Sequence, residues 1–355
     1  MFIVDAHLDL AYNAIRHNRN LLKPVAEIRK AEEGKPHPNG ISLVSFPELQ
    51  KADVGLVFGT IFVMPAGSRM AGSDNNSALT FKTAEEAHRM GQMELDYYHR
   101  VADDVDYIRL VGNTADLEEV VASYEGDQER LVGIVPLMEG ADPIREPAEV
   151  EMWYERGLRI IGLAWDDTPY APGAWRDGGD LTKEGHQLLE VMASFGFILD
   201  LTHMSEEASL TCLDKYDGTI IATHSNARAL VPTQRQLSDT QIKRIAERGG
   251  VIGTVLANGF LKADHPRGGP KEGVTLEHVV AHIDHVCQVV GNAAHVGIGT
   301  DFDGGFGVES VPAEIKNVSD LPLIGKALKE KGYSQEDVDG FMGQNWLNML
   351  RRTWG

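Results

Sequence analysis

The sequence predicts an α/β fold, a (β/α)8 TIM barrel with additional C-terminal helices. Three observations carry the expectation. Eight short β-rich runs alternate with helical patterns, as in βαβ units around a parallel sheet. Most runs are near-continuous apolar stretches, the pattern of strands buried on both faces. The length of 355 residues suits one barrel enlarged by insertions, so a single domain over 1–355 is expected.

In chain order, strands are expected at 2–7, 54–63, 131–138, 159–165, 197–203, 219–224, 250–256 and 295–300. Helices are expected at 84–103, 143–156, 183–195, 238–248 and 275–290. Ser238 reads as an N-cap, because Gln241 stands at the capping-box position. Helices beyond Leu321 are expected to pack outside the barrel. An open doubly wound sheet is the alternative. Its dinucleotide-binding version has little support, since no Gly-x-Gly-x-x-Gly follows the first strand. Long segments at 64–80, 166–181, 257–273 and 303–313 follow strands directly. They belong to the carboxyl rim, where active sites of this fold are built.

Hydrophobic residues make up 43% and charged residues 24%, which argues against wholesale disorder. With 33 basic and 53 acidic residues the formal net charge is −20. Such a surface repels phosphate backbones, so no nucleic-acid partner is expected. No apolar stretch is long enough to span a bilayer, and the first residues lack the order of a signal peptide. A soluble, cytoplasmic protein with no membrane partner is the expectation. Cys212 and Cys287 are too few for a disulfide framework or an all-cysteine zinc module.

The chemistry concentrates at the ends of the expected strands. The first ends in His7-Leu8-Asp9, the third in Glu139-Gly140 and the fifth in Asp200-Leu201-Thr202-His203. The sixth ends in Thr223-His224-Ser225 and the eighth in Thr300-Asp301-Phe302-Asp303. Histidines and carboxylates thus reach one rim from five strands. Imidazole and carboxylate suit zinc and similar divalent ions. Three histidines and three carboxylates exceed the needs of one tetrahedral ion, so two ions about 3.5–4 Å apart, bridged by a carboxylate, are expected.

Other signals read as structural. His278, His282 and His285 have helical spacing but lack the Glu of a His-Glu-x-x-His motif, so an outer helix with partly exposed histidines is expected. Cys212 and Cys287 read as buried thiols, and Gly249-Gly250 and Gly304-Gly305 as turns. Asp103-Asp104 reads as a solvated helix end, and Met90 and Met93 as helix packing.

Taken together, Asp5-Ala6-His7-Leu8-Asp9, Glu139-Gly140, Leu199-Asp200-Leu201-Thr202-His203, Thr223-His224-Ser225 and Gly299-Thr300-Asp301-Phe302-Asp303-Gly304 resemble the membrane (renal) dipeptidase family. The resemblance runs across nearly the whole chain. It implies a metal-dependent hydrolase barrel with two Zn2+ per chain, acting on dipeptides and forming a homodimer. It also implies that His7 and Asp9 bind one metal, His203 and His224 the other, and that Glu139 bridges them. Asp301 matches the family's acid/base residue. Arg235 falls where the family places an arginine on the substrate carboxylate, for which its planar fork is suited.

One position departs from the family. Where it often has a histidine that stabilises the developing oxyanion, this chain has Trp165. Tryptophan offers one N–H and no charge. The implied reaction is attack on the peptide carbonyl by a metal-bridging hydroxide, with L-Xaa-D-Xaa dipeptides among the substrates. Two rivals remain. Amidohydrolase-type deaminases and cyclic amidases usually begin with His-x-His, whereas this chain has His-x-Asp. A non-catalytic binding barrel would not need all five ligand candidates and Asp301.

Overall fold

A computed structural model describes residues 2–35, 37–68, 80–266 and 269–355. Its core is a nearly closed parallel barrel: β1 (Ile3–Leu8), β2 (Val54–Phe62), β3 (Val132–Glu139), β4 (Ile160–Gly162), β5 (Ile198–Asp200), β6 (Ile220–Ile221), β7 (Ile252–Thr254) and β8 (Val296–Ile298). Ladders join neighbours in chain order, and β8 returns to β1 through Asp5↔Ile298. All eight expected strands are present. Each is buried along its length, which explains the unbroken apolar runs.

The seam between β6 and β7 is closed by little backbone. Ala222 N–H donates to Val251 O at 3.1 Å and Gly253 N–H to Ala222 O at 2.8 Å. A Cβ on Gly253 or Gly299 would collide with Thr223 O. The two glycines therefore let three backbones meet beside Thr223.

Five helices occupy expected places: α1 (Ala84–Asp104), α2 (Val150–Glu155), α3 (Lys183–Phe195), α4 (Asp239–Glu247) and α5 (Leu276–Val290). Ser238 caps α4 in a reciprocal box with Gln241. The helix expected from residue 143 begins later, because Glu146 is extended (φ −150°, ψ 151°) before Pro147. Met93 lies exposed on α1, whereas Met90 is buried. His282 on α5 is fully buried rather than partly exposed. Its Nδ1 accepts from Ala227 N–H at 3.1 Å and its Nε2 donates to Leu261 O at 3.1 Å, so it bridges two loops.

One C-terminal helix also departs from expectation. The last, α6 (Asn345–Trp354), lies under the barrel at the amino ends of the strands, not on its outer wall. Trp346, Leu347, Met349 and Leu350 cluster with Val4, Phe58, Leu137, Ile160, Ile198 and Ile221. Trp346 Nε1 donates to Ile298 O at 3.0 Å, and Asn345 Nδ2 to Val296 O at 2.8 Å. Gly297 makes room for the indole. Among the described residues no helix is long and apolar enough to cross a membrane.

Of the long rim segments, 64–80 carries a two-residue parallel ladder between Met64–Pro65 and Thr80–Phe81. Its residues 69–79 lie outside the described residues. Cys212 and Cys287 are free and buried.

Candidate metal centre at the carboxyl rim

Each expected ligand sits at or just past the carboxyl end of its strand. His7 is in β1, and Asp9 follows it as N-cap of a short helix, Leu10–Arg16. Glu139 ends β3. His203, His224 and Asp301 follow β5, β6 and β8. His203 and Asp301 have left-handed backbones, with φ of 68° and 60°. Non-glycine residues at such φ cost about 1–3 kcal/mol and persist where the surroundings over-determine them. Here Ala174 N–H donates to His203 O at 2.6 Å, and Asp301 N–H to His7 O at 3.2 Å.

The six side chains converge. Ligand atoms of His7, Glu139 and His224 lie within 4.8 Å of one another, as do those of His7, Asp9 and Asp301. Glu139 divides its oxygens: Oε2 lies 3.4 Å from His7 Nε2, and Oε1 lies 2.9 Å from His203 Nε2 and 3.5 Å from His224 Nε2. His7 Nε2 is 3.9 Å from both Asp9 Oδ1 and Asp301 Oδ1. The Nε2 atoms of His203 and His224 are 3.0 Å apart. His7 Nε2 is buried and has no hydrogen-bond partner among the described residues. A buried, orphaned imidazole nitrogen among carboxylates is what a cation would complete, and this nitrogen and oxygen donor set fits zinc-like divalent ions.

The field agrees. Burial by itself lowers an imidazole pKa, but Glu139, Asp9 and Asp301 outweigh it and raise His7 to about 9. Burial raises Asp9 to about 7, with Glu139 pushing the same way. Burial, aided by Asp9 and Glu139, pushes Asp301 well above the usual carboxylate range, against His7 and Arg235. Burial also favours protonation of Glu139, but His7 and His203 overcome it and hold the carboxyl low. Burial, with Arg235 beside it, lowers His203 to about 3. A pocket that draws a proton onto His7 also favours a metal cation there.

Supporting residues were only partly visible in the sequence. Asp5 accepts from Thr300 N–H at 2.8 Å and Thr300 Oγ1 at 2.6 Å, tying β1 to the Asp301 loop. Thr60 on β2 donates to Asp9. Asp303 turns away from the ligands and accepts from Leu43 N–H at 2.9 Å and Ser42 Oγ at 3.2 Å. Gly304 is more than a turn: a Cβ there would strike the Asp301 and Asp9 carboxylates.

Arg235 is buried beside the histidines. Nη2 donates to His224 O at 2.9 Å and lies 3.3 Å from His203 Nε2, while Nη1 donates to Ser225 Oγ at 3.1 Å. Its Nε is buried without a partner. Trp165 lies 6.1 Å from His203 between ring centroids and edges onto Phe62. Two aromatics that sequence reasoning missed complete this wall. Trp175 lies 6.0 Å from His203, and Phe260 lies 6.1 Å from Trp175 and under Arg235 at 5.2 Å. They stand on the long segments after β4 and β7, where loop position was the only signal.

The family model described as Membrane dipeptidase (Peptidase family M19) matches residues 1–354. An uncharacterized protein in the pqqA 5′ region of Klebsiella pneumoniae is 31% identical over 72% of this chain and 92% of its own. The dipeptidase aclJ of Aspergillus oryzae is 26% identical over 86% of this chain and 69% of its own. Among solved structures, a metallo peptidase from Rhodobacter sphaeroides, liganded with a phosphinate mimic of the dipeptide L-Ala-D-Ala, superposes with a TM-score of 0.83. It is 24% identical and covers 100% of this chain and 99% of its own, a likeness of fold.

Proposed function

The chain belongs to the membrane dipeptidase family, a family of metal-dependent dipeptidases, and from that premise we propose how its rim residues divide the work. His7 and Asp9 hold one Zn2+, His203 and His224 hold a second, and Glu139 bridges them. The division of the Glu139 oxygens between His7 on one side and His203 and His224 on the other carries this reading. Two such ions supply hydroxide at neutral pH and polarise a carbonyl.

The remaining steps belong to this chain. Asp301 takes the proton of the attacking water and passes it to the leaving amine. Its carboxylate lies beside His7, with Oδ1 3.9 Å from His7 Nε2, within reach of a water held at the same centre. Arg235 holds the free carboxylate of the dipeptide with a charge-assisted fork. Its buried surroundings lower its pKa only to about 10, so it stays charged. Trp165 packs against the substrate beside His203 and excludes water there. With Asp301 also pairing with the substrate α-ammonium, both termini are clamped, which favours dipeptides over longer chains.

L-Xaa-D-Xaa dipeptides are the proposed substrates, supported by the L-Ala-D-Ala mimic in the Rhodobacter sphaeroides neighbour. A homodimer is part of the same proposal and is tested by sedimentation. The direct test is a dipeptide library, with L and D residues at each position, on zinc-reconstituted protein. Hydrolysis of dipeptides but not tripeptides is expected. Turnover of pyrimidines or cyclic imides, with dipeptides untouched, contradicts the assignment.

A further inference from the structure

The geometry points to Thr223 as a positioning residue shared by both halves of the metal centre, one hydroxyl fixing the tautomers of His7 and His224. The inference rests on the ligand assignment proposed above. Thr223 is fully buried just past β6. A hydroxyl has one proton to donate and two lone pairs that accept. The Thr223 proton goes to Asp200 Oδ2 at 2.6 Å. The other oxygen of Asp200 accepts from Thr223 N–H at 2.9 Å, Thr202 N–H at 3.0 Å and Thr202 Oγ1 at 2.7 Å. Asp200 is thus surrounded by donors. Thr202 Oγ1, 3.4 Å from the Thr223 hydroxyl, commits its own proton to the same carboxylate.

What remains around Thr223 Oγ1 is His224 Nδ1 at 3.0 Å and His7 Nδ1 at 3.4 Å. With its proton committed, the hydroxyl accepts from both. Each ring then carries hydrogen on Nδ1 and turns a bare Nε2 toward Glu139. The two rings also stack, with centroids 3.6 Å apart, so one hydroxyl serves them together. An imidazole ligates through the nitrogen that lacks hydrogen, and the bond made by the other nitrogen selects it. The backbone of Thr223 is pinned where Gly253 and Gly299 crowd its carbonyl, which fixes the hydroxyl in place. His203 provides an internal control, because its Nδ1 is buried without any partner.

The test uses zinc-loaded protein with 15N-histidine. Long-range 1H–15N spectra are expected to place hydrogen on Nδ1 of His7 and His224. Thr223→Val removes the hydroxyl at nearly constant volume. Both zinc affinities, read by chelator competition, are expected to fall about 10–100-fold, and Thr223→Ser is expected to restore them. The placement of hydrogen on the His203 ring is expected to be the same in wild type and variant. Wild-type affinity at both sites in Thr223→Val, or loss at one site only, overturns the proposal. Ligation of His7 or His224 through Nδ1 in the wild-type spectrum overturns it without any variant, should Thr223→Val fail to fold. Neither readout uses a dipeptide. Absent dipeptide cleavage would sink the proposed function and leave the tautomer result standing, whereas absent zinc uptake by the wild type overturns both.

Discussion

At the amino end of the barrel, Trp346, Leu347 and Leu350 are buried against Val4, Phe58 and Ile198, and the indole N–H has its acceptor in Ile298 O. At the carboxyl end, His7 Nε2, His203 Nδ1 and Arg235 Nε are buried without hydrogen-bond partners among the described residues. There His203 and Asp301 also adopt left-handed backbones. Orphaned polar groups and such backbones each cost about 1–3 kcal/mol. The amino end has such costs as well, in left-handed Asp53 and in Trp354 Nε1, which has no hydrogen-bond partner among the described residues, but at the carboxyl end they fall on the ionisable groups that converge. The contrast separates residues that hold the barrel from residues that perform its chemistry, as the fold class leads one to expect.

Substitutions at the two ends should therefore fail differently. Asp301→Asn is expected to lower kcat about 100–10,000-fold while bound metal and unfolding temperature hold; near-normal turnover would remove Asp301 from the mechanism. Trp346→Ala should cost about 3–5 kcal/mol of stability, seen in denaturant unfolding, with kcat of the folded fraction unchanged. A matching loss of kcat would mean that the two ends are coupled. Arg235→Ala removes hydrogen bonds to a charged group that contribute about 1.5–3 kcal/mol, so KM for dipeptides should rise about 10–150-fold. An unchanged KM would mean that another residue holds the carboxylate.

A separate effect is a pH dependence of stability beside the rim. Glu94 on α1 is fully buried, accepts from Phe62 N–H at 2.7 Å and faces Arg16 Nε at 3.6 Å. Burial raises its pKa from 4.5 to about 8, against the pull of Arg16. Between those values the native state keeps a proton that the unfolded chain has released. Its contribution therefore falls as pH rises from about 4.5 to about 8. Glu94→Gln should gain in unfolding temperature relative to wild type between pH 5 and pH 8. A constant difference would show that Glu94 is not held protonated.

The same contrast explains what the sequence disclosed. The strands were legible because burial on both faces leaves apolar runs such as Val132–Glu139. The ligand candidates were legible because strand ends of a parallel barrel share one rim, so His7, Glu139 and His224 converge without a local motif. The place of α6 was not legible: an amphipathic helix reads alike whether its apolar face covers the outer wall or plugs the floor. Thr223 was hidden too, since a threonine beside a strand is ordinary, and its role appears only when Asp200 and two imidazoles surround one hydroxyl. Trp175 and Phe260 reach the site through loop geometry, which no periodicity encodes.

The proposed division of roles requires a pair of ions straddling Glu139. Anomalous diffraction from zinc-reconstituted crystals tests it most directly. Two peaks about 3.5–4 Å apart are expected, one beside His7 and Asp9 and the other beside His203 and His224. A single peak, or density away from Glu139, would contradict it.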